Sequence, residues 1–127
     1  MEKHKNKGKF STPLDLRATN PGEWRLLSPL VYTSSTGDIY IVPTGMITDL
    51  ASIPKILRPA IDRNGLSRPA AVLHDYLYLI GSLSRKQADH LFLEALLSCG
   101  VGSFVAKGMY WSVRAFGGGR YAEYSGR

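Results

Sequence analysis

The stretch AAVLHDYLYLIG, residues 70–81, sets His74 beside Asp75 in otherwise apolar surroundings, with only the tyrosine hydroxyls of Tyr76 and Tyr78 for company. A buried ionisable group costs several kcal/mol unless it is paired, hydrogen-bonded or turned onto a ligand. Two chemistries suit such a pair. A histidine with carboxylates can hold a hard divalent cation, and it can equally be a general base oriented by an aspartate. Further carboxylates come from Asp49 in TGMITDLASIP and Asp89 in SRKQADHLF. The expected catalytic groups are His74, Asp75 and Asp49, with Asp49, His74 and Asp89 as the ligands of a divalent metal ion. The bland alternative pairs Asp75 with an arginine such as Arg58 or Arg114 and lets His74 donate to a carbonyl.

Other chemistries find less support. The zinc patterns with paired cysteines or HExxH are missing, as are the phosphate loop GxxxxGK[ST], the dinucleotide motif GxGxxG and the nucleophile elbow GxSxG. His90 and Glu94, four apart on one helical face, read as a solvated surface pair and not as metal ligands. The single cysteine, Cys99, excludes an internal disulfide and reads as a small packed hydrophobe. Trp24, Trp111 and the seven tyrosines could stack on bases, but their spacing fits core positions better.

The elements that must position these residues fall into two halves. EWRLLSPLVYTS and GDIYIVPTG, separated by the turn cluster SSTGD, carry the β-branched and aromatic residues of strands. The nearly continuous apolar run of DIYIVP predicts a strand covered on both faces in part. Pro29 and Pro43 belong at strand ends, bulges or an edge. TGMITDLASIP reads as a loop, followed by a short helix in IPKILRPAI with Ser52 as N-cap and Pro54 in its first turn. The second half is helical. A helix over about 68–80 has Ser67 as N-cap, Pro69 in its first turn and Gly81 at its end. Another begins at Ser84, where SRKQ forms a capping box with Gln87, and closes at Gly100. A third spans about 103–116. The architecture expected is α+β: a small antiparallel N-terminal sheet packed with three to four C-terminal helices, the helix at 68–80 being central.

At 127 residues the chain is expected to be one domain over residues 10–117, between a flexible basic tail at 1–9 and a C-terminal tail at 118–127. The net charge of +6 hints at an anionic partner. About half of it sits in the lysine-rich start MEKHKNKGK, so the arginines Arg58, Arg63, Arg68, Arg85, Arg114 and Arg120 are better placed to build a defined anion site. The basic residues are too dispersed to specify a nucleic-acid binder. No segment approaches the roughly 20 apolar residues of a membrane span, and no apolar h-region follows the basic start. The expected location is the cytoplasm of the cell that makes the protein.

Four blocks taken in order, GMITDLASIP at 45–54, AAVLHDYLY at 70–78, SRKQADHLF at 84–92 and MYWSVRAFG at 109–117, resemble the family of unknown function numbered 1353, found in tailed bacteriophages and prophages. The resemblance covers about residues 9–117 and implies a phage origin and one compact domain. Its characteristic polar positions fall on Thr48, Asp49, Ser52, His74, Asp75, Tyr78, Arg85, Asp89 and Arg114.

The function expected on these grounds is that of a phage accessory hydrolase, acting on a phosphodiester or nucleotide signal and countering host defence. Thr48, Ser52, Tyr78, Arg85 and Arg114 would contact substrate. The alternatives are a non-catalytic binder of a nucleotide or host protein, a structural or assembly protein of the phage particle, and a cell-wall hydrolase.

Overall fold

The computed structural model describes residues 8–50, 53–57, 59, 65–118 and 121. Among these, six strands come first: β1 (Lys9–Phe10), β2 (Leu16–Asn20), β3 (Glu23–Leu26), β4 (Leu30–Thr33), β5 (Ile39–Val42) and β6 (Ile47–Thr48). Three helices follow: α1 (Arg68–Ile80), α2 (Arg85–Ser98) and α3 (Ser103–Phe116). The protein is α+β, as the sequence predicts, with its strands arranged in two antiparallel three-stranded sheets ordered β1-β4-β5 and β2-β3-β6.

The run EWRLLSPLVYTS is divided between the two sheets. Leu27, Ser28 and Pro29 separate β3 from β4, and Pro29 has no amide to continue a ladder. Three strands lie where the sequence suggested none; one is β6, which forms inside the stretch TGMITDLASIP expected to be a loop and pairs with β3. β2 pairs with β3 through the turn at Pro21–Gly22, where Gly22 takes φ +79°. β1 pairs Lys9 with Thr33 and Phe10 with Tyr32, and Gly8 before it is buried, so the ordered fold reaches into the segment expected to be a flexible tail. The expectation that β5 is partly covered on both faces fails in one respect. It is an edge strand, and Ile39 and Ile41 remain exposed while Val42 is buried. Between sheet and helices, Lys55–Leu57 form a 3-10 turn and Pro59 is helical, within the stretch where a short helix is expected; the rest of that stretch beyond Leu57 and its proposed cap, Ser52, lie outside the described residues.

The helices keep their predicted bounds. Ser67 precedes α1 and a proline occupies its first turn, although the Ser67 side chain makes no capping bond. Gly81 ends α1 in the left-handed region, φ +64°, with its N–H on the Leu77 carbonyl, a conformation that favours glycine. In α2 both halves of the capping box form: Ser84 Oγ accepts from the Gln87 amide at 3.1 Å, and Gln87 Oε1 accepts from the Ser84 amide at 2.9 Å. α1 is buried at Ala70 through Asp75, Leu77 and Tyr78, and α2 carries the packing onward to α3. The core joins Leu26, Leu30, Tyr32 and Val42 of the strands to Leu73, Leu77, Phe92, Leu96 and Val113 of the helices.

Candidate functional site

Successive residues on a helix point about 100° apart, and among the described residues His74 and Asp75 bond to different elements. His74 faces α2 and Asp75 faces β6. Each anchors its own polar network.

On the α2 side, His74 Nε2 lies 2.7 Å from Asp89 Oδ1, and neither side chain has any exposed surface. Tyr78, one turn after His74, donates its hydroxyl to the same oxygen at 2.6 Å. From α3, Arg114 Nη1 donates to Asp89 Oδ2 at 2.9 Å. Arg85 stands one turn before Asp89, its Nε 3.9 Å from Oδ2, while its Nη2 donates to the carbonyls of Val113 and Arg114. Those carbonyls belong to the last turn of α3, whose negative end favours a cation; the Val113 carbonyl also accepts from the Gly117 amide at 2.8 Å. Burial pushes the Asp89 carboxyl upward. Hydrogen bonds from His74 and Tyr78, the charge of His74 and the bond from Arg114 more than reverse this and hold it below its ordinary value. The carboxylate is therefore ionised and can only accept, so His74 Nε2 carries the proton between them. Tyr78 is pushed up, first by burial and then by its bond to Asp89, and stays a phenol. Rings enclose the group: His74 is 4.2 Å from Tyr78 and 4.7 Å from Phe92, centroid to centroid. Tyr121, in the segment expected to be a C-terminal tail, sets its ring edge-on against Tyr78 and donates its hydroxyl to the Leu83 carbonyl at 2.7 Å.

This network ties three helices together; its imidazole, carboxylate and phenol are buried, and its Arg85 and Arg114 side chains, 25% and 26% exposed, reach the surface. The metal centre expected from Asp49, His74 and Asp89 is not formed: among the described residues no group of three or more His, Cys, Asp or Glu side chains could hold a metal ion. The physical reason is local. Asp89 has one oxygen on two proton donors and the other on a guanidinium, which repels a cation. Asp49 is an exposed loop residue.

On the other side of α1, Thr48 of β6 donates its hydroxyl to Asp75 Oδ2 at 2.6 Å and accepts from the Leu50 amide at 3.0 Å. Leu50 takes φ +60°, an unusual conformation for a residue with a branched side chain, and buries that chain in the core. Thr48 is one partner of Asp75, and Arg114 is committed to Asp89; Arg58, the other arginine suggested for Asp75, lies outside the described residues. Thr48 also lines a half-enclosed cavity of about 230 Å³. Its other walls are Leu16, Ala18 and Trp24 from β2 and β3, Leu50 from the loop, and Arg68 and Val72 from the first turns of α1. Register explains the strand contribution: Ala18 lies opposite Trp24, and Trp24 opposite Thr48, so all three point from one face of the sheet toward α1. Of the expected substrate contacts, Thr48 lies on this cavity and Tyr78, Arg85 and Arg114 belong to the Asp89 network; Ser52, with Arg58, Arg63 and Arg120, lies outside the described residues.

A second, more open cleft of about 390 Å³ separates the β4–β5 turn from α2. His90 and Glu94 line it without forming a mere solvated pair. Glu94 accepts from the Tyr32 hydroxyl at 2.6 Å and from the Ser35 amide at 3.2 Å, and His90 Nε2 meets the Tyr110 hydroxyl at 3.0 Å. Sequence spacing pointed to neither contact, because both partners come from other elements. Burial pushes the Cys99 thiol up, away from the thiolate a nucleophile would need.

Fold and site together define a small α+β protein with a locked polar core and a half-enclosed cavity beside it. The chain belongs to the family described as protein of unknown function (DUF1353), whose profile matches residues 24–113, a span that takes in Trp24, Thr48, Arg68, His74, Asp75 and Asp89. It is similar to the uncharacterized protein y4jT of Sinorhizobium fredii (strain NBRC 101917 / NGR234), with 31% identity over 96 residues. That match covers 74% of this chain and 29% of the relative, so the chain spans under a third of the relative's length. No solved structure matches the chain.

Proposed function

We propose that the protein is a phage- or prophage-borne binding protein for a compact anionic ligand of the nucleotide class, acting in the host cytoplasm. The observation that carries this reading is the cavity that Trp24, Arg68 and Thr48 line together. An indole offers a flat apolar face for a planar ring, a guanidinium pairs with phosphate oxygens, and a hydroxyl can direct a polar edge. The volume of about 230 Å³ lies below the usual range for drug-sized ligands, which suits one ring held inside with the charged remainder at the mouth near exposed Arg68. The phage association rests on the resemblance of the four sequence blocks. Sequestering a nucleotide signal would be one way to counter host defence.

The test is calorimetric titration with mononucleotides and cyclic dinucleotides, followed by recovery of the ligand from denatured protein. The proposal expects stoichiometric capture, an unchanged ligand and at least tenfold weaker binding in Trp24→Ala and Arg68→Gln. Failure of the wild-type protein to bind any of these probes, or equal binding by both variants, would sink it.

The hydrogen bond from Thr48 to Asp75 favours one second reading, a phosphodiester hydrolase at the same cavity. A hydroxyl paired with a carboxylate is the arrangement by which a base activates a nucleophile. In this version Asp75 serves as base for Thr48 or for a water, and enclosed His74 takes no direct part. Turnover beyond one equivalent, lost in Asp75→Asn, separates it from simple capture.

A further inference from the structure

We infer that the cleft between the β4–β5 turn and α2 binds a small zwitterion of the basic amino-acid class, with the ligand's side-chain cation on Glu94 and its carboxylate on Lys86. The cleft is distinct from the cavity beside Thr48, because the two share no lining residue. Its volume of about 390 Å³ falls within the roughly 300–1,000 Å³ of small-molecule sites.

Glu94 carries the argument. Its side chain is half-buried, and its partners among the described residues are neutral: the Tyr32 hydroxyl on Oε1 and the Ser35 amide shared between both oxygens. These bonds fix the carboxylate without balancing its charge, and Oε2, with one donor, has room for another. Neighbouring cations do not supply it. Lys9 lies opposite Thr33, on the face of the sheet away from Tyr32. His90, one turn before Glu94, is engaged with the Tyr110 hydroxyl. A half-buried carboxylate held this way favours a cation brought from outside. Tyr40 lines the same cleft. Burial and then the charges of Asp38 and Glu94 push its hydroxyl up, so this end is negative, and its ring can lie against a cation.

The other end is positive. Lys86, His90 and Glu94 follow one another at i, i+4 spacing on one side of α2, so Lys86 stands roughly 12 Å from Glu94 along the axis. Lys86 forms no hydrogen bond or ion pair among the described residues. In the first turn of α2 it also faces the positive end of the helix, which costs stability. Neither fact suits a role in holding the fold. Between the two ends, Leu83 and Leu91 offer an apolar wall to a methylene stem. An extended lysine or arginine molecule places its terminal nitrogen roughly 7–9 Å from its carboxylate. With a charge-assisted contact of about 2.8 Å at each end it spans about 13–15 Å, enough to bridge Glu94 and Lys86. A simple amine would leave Lys86 unused, and a simple acid would be repelled by Glu94.

Calorimetric titration of the full chain with L-lysine and L-arginine tests the inference, alongside cadaverine and agmatine, which keep the cation and lack the carboxylate. The expected result is saturable binding of at least one amino acid, at least about tenfold tighter than its decarboxylated counterpart. Glu94→Gln, which keeps an acceptor for Tyr32, should weaken both members of the pair at least about tenfold. Lys86→Ala should weaken the amino acid by a similar factor without weakening the amine. Lys86 is exposed and bonds to nothing among the described residues, so this arm stands even if Glu94→Gln fails to fold. Binding of neither amino acid at concentrations up to about 10 mM overturns the inference. So does a Lys86→Ala variant that binds the amino acid as tightly as the parent. Equal binding of L-norleucine, which lacks the side-chain cation, would also overturn it.

Discussion

His74 Nε2 and Asp89 Oδ1 lie 2.7 Å apart with no solvent access to either side chain, bridging helices whose contributing residues are fifteen positions apart in sequence. The relationship fixes the packing of α1 on α2 because three donors converge on one carboxylate. Removing the acceptor strands all of them. Asp89→Ala is expected to cost about 3–5 kcal/mol in urea unfolding, the usual cost of breaking a buried pair from one side. Tyr78→Phe removes one of Asp89's donors and leaves His74 and Arg114 in place, so it should cost less, about 1.5–3 kcal/mol. Equal stability of Asp89→Ala and the parent would show that the network contributes nothing.

The same carboxylate sets a pH dependence. Its folded-state value is depressed, so the stability it confers is fully present above the unfolded value, about 3.9, and is lost as pH falls through the lower folded value. Urea midpoints measured from neutral pH downward should show the gap between the parent and Asp89→Asn roughly constant above about pH 5 and narrowing at lower pH. A gap that stays constant into strong acid would mean that Asp89 is not ionised in the folded protein.

Thr48 serves both the Asp75 carboxylate and the amide of Leu50, the residue held at positive φ. Thr48→Val keeps the shape and removes the hydroxyl, leaving a buried amide and a buried carboxylate each short of a partner. Its expected cost is about 1–3 kcal/mol. Thr48→Ser keeps the hydroxyl and should recover most of that. Ligand titration of both variants adds a readout that packing alone would not move: the serine variant retains affinity and the valine variant loses it.

Much of this was legible in the sequence, and the limits have physical causes. Local signals located the helices. The Ser84–Gln87 box and the glycine at 81 act over a single turn, and both form as read. The costliness of His74 and Asp75 in an apolar stretch was also legible, and both are buried; nothing in SRKQADHLF marked Asp89 for burial, though it is buried as well. Their partition was not. Adjacent residues share a sequence neighbourhood but project to different elements, so grouping His74 with Asp75 into one centre merged two networks. β1, β2 and β6 escaped notice because strands of two to five residues with exposed positions leave a faint alternation, and they are held by distant partners or by a tight turn. Glu94 looked like a surface acid because nothing local reveals that Tyr32 of β4 donates to it from 62 positions away.

That Tyr32–Glu94 contact carries a further prediction, because Gly8 closes over it. A Cβ at Gly8 would fall 1.8 Å from the Tyr32 hydroxyl and 2.7 Å from Glu94 Oε1. Tyr32 has no exposed surface and is bonded to Glu94 at 2.6 Å, so neither group can swing aside without leaving its partner. Gly8→Ala is therefore expected to destabilise by about 1–3 kcal/mol, in the range of overpacked sites. Tyr32→Phe removes the atom nearest the clash and loses one hydrogen bond, with Glu94 still accepting from the Ser35 amide. The double variant should cost less than the two singles together by at least about 0.5 kcal/mol, since the phenylalanine gives the new methyl room. Strict additivity would mean that Gly8 does not pack on Tyr32, and that the N-terminal strand enters the fold by another path.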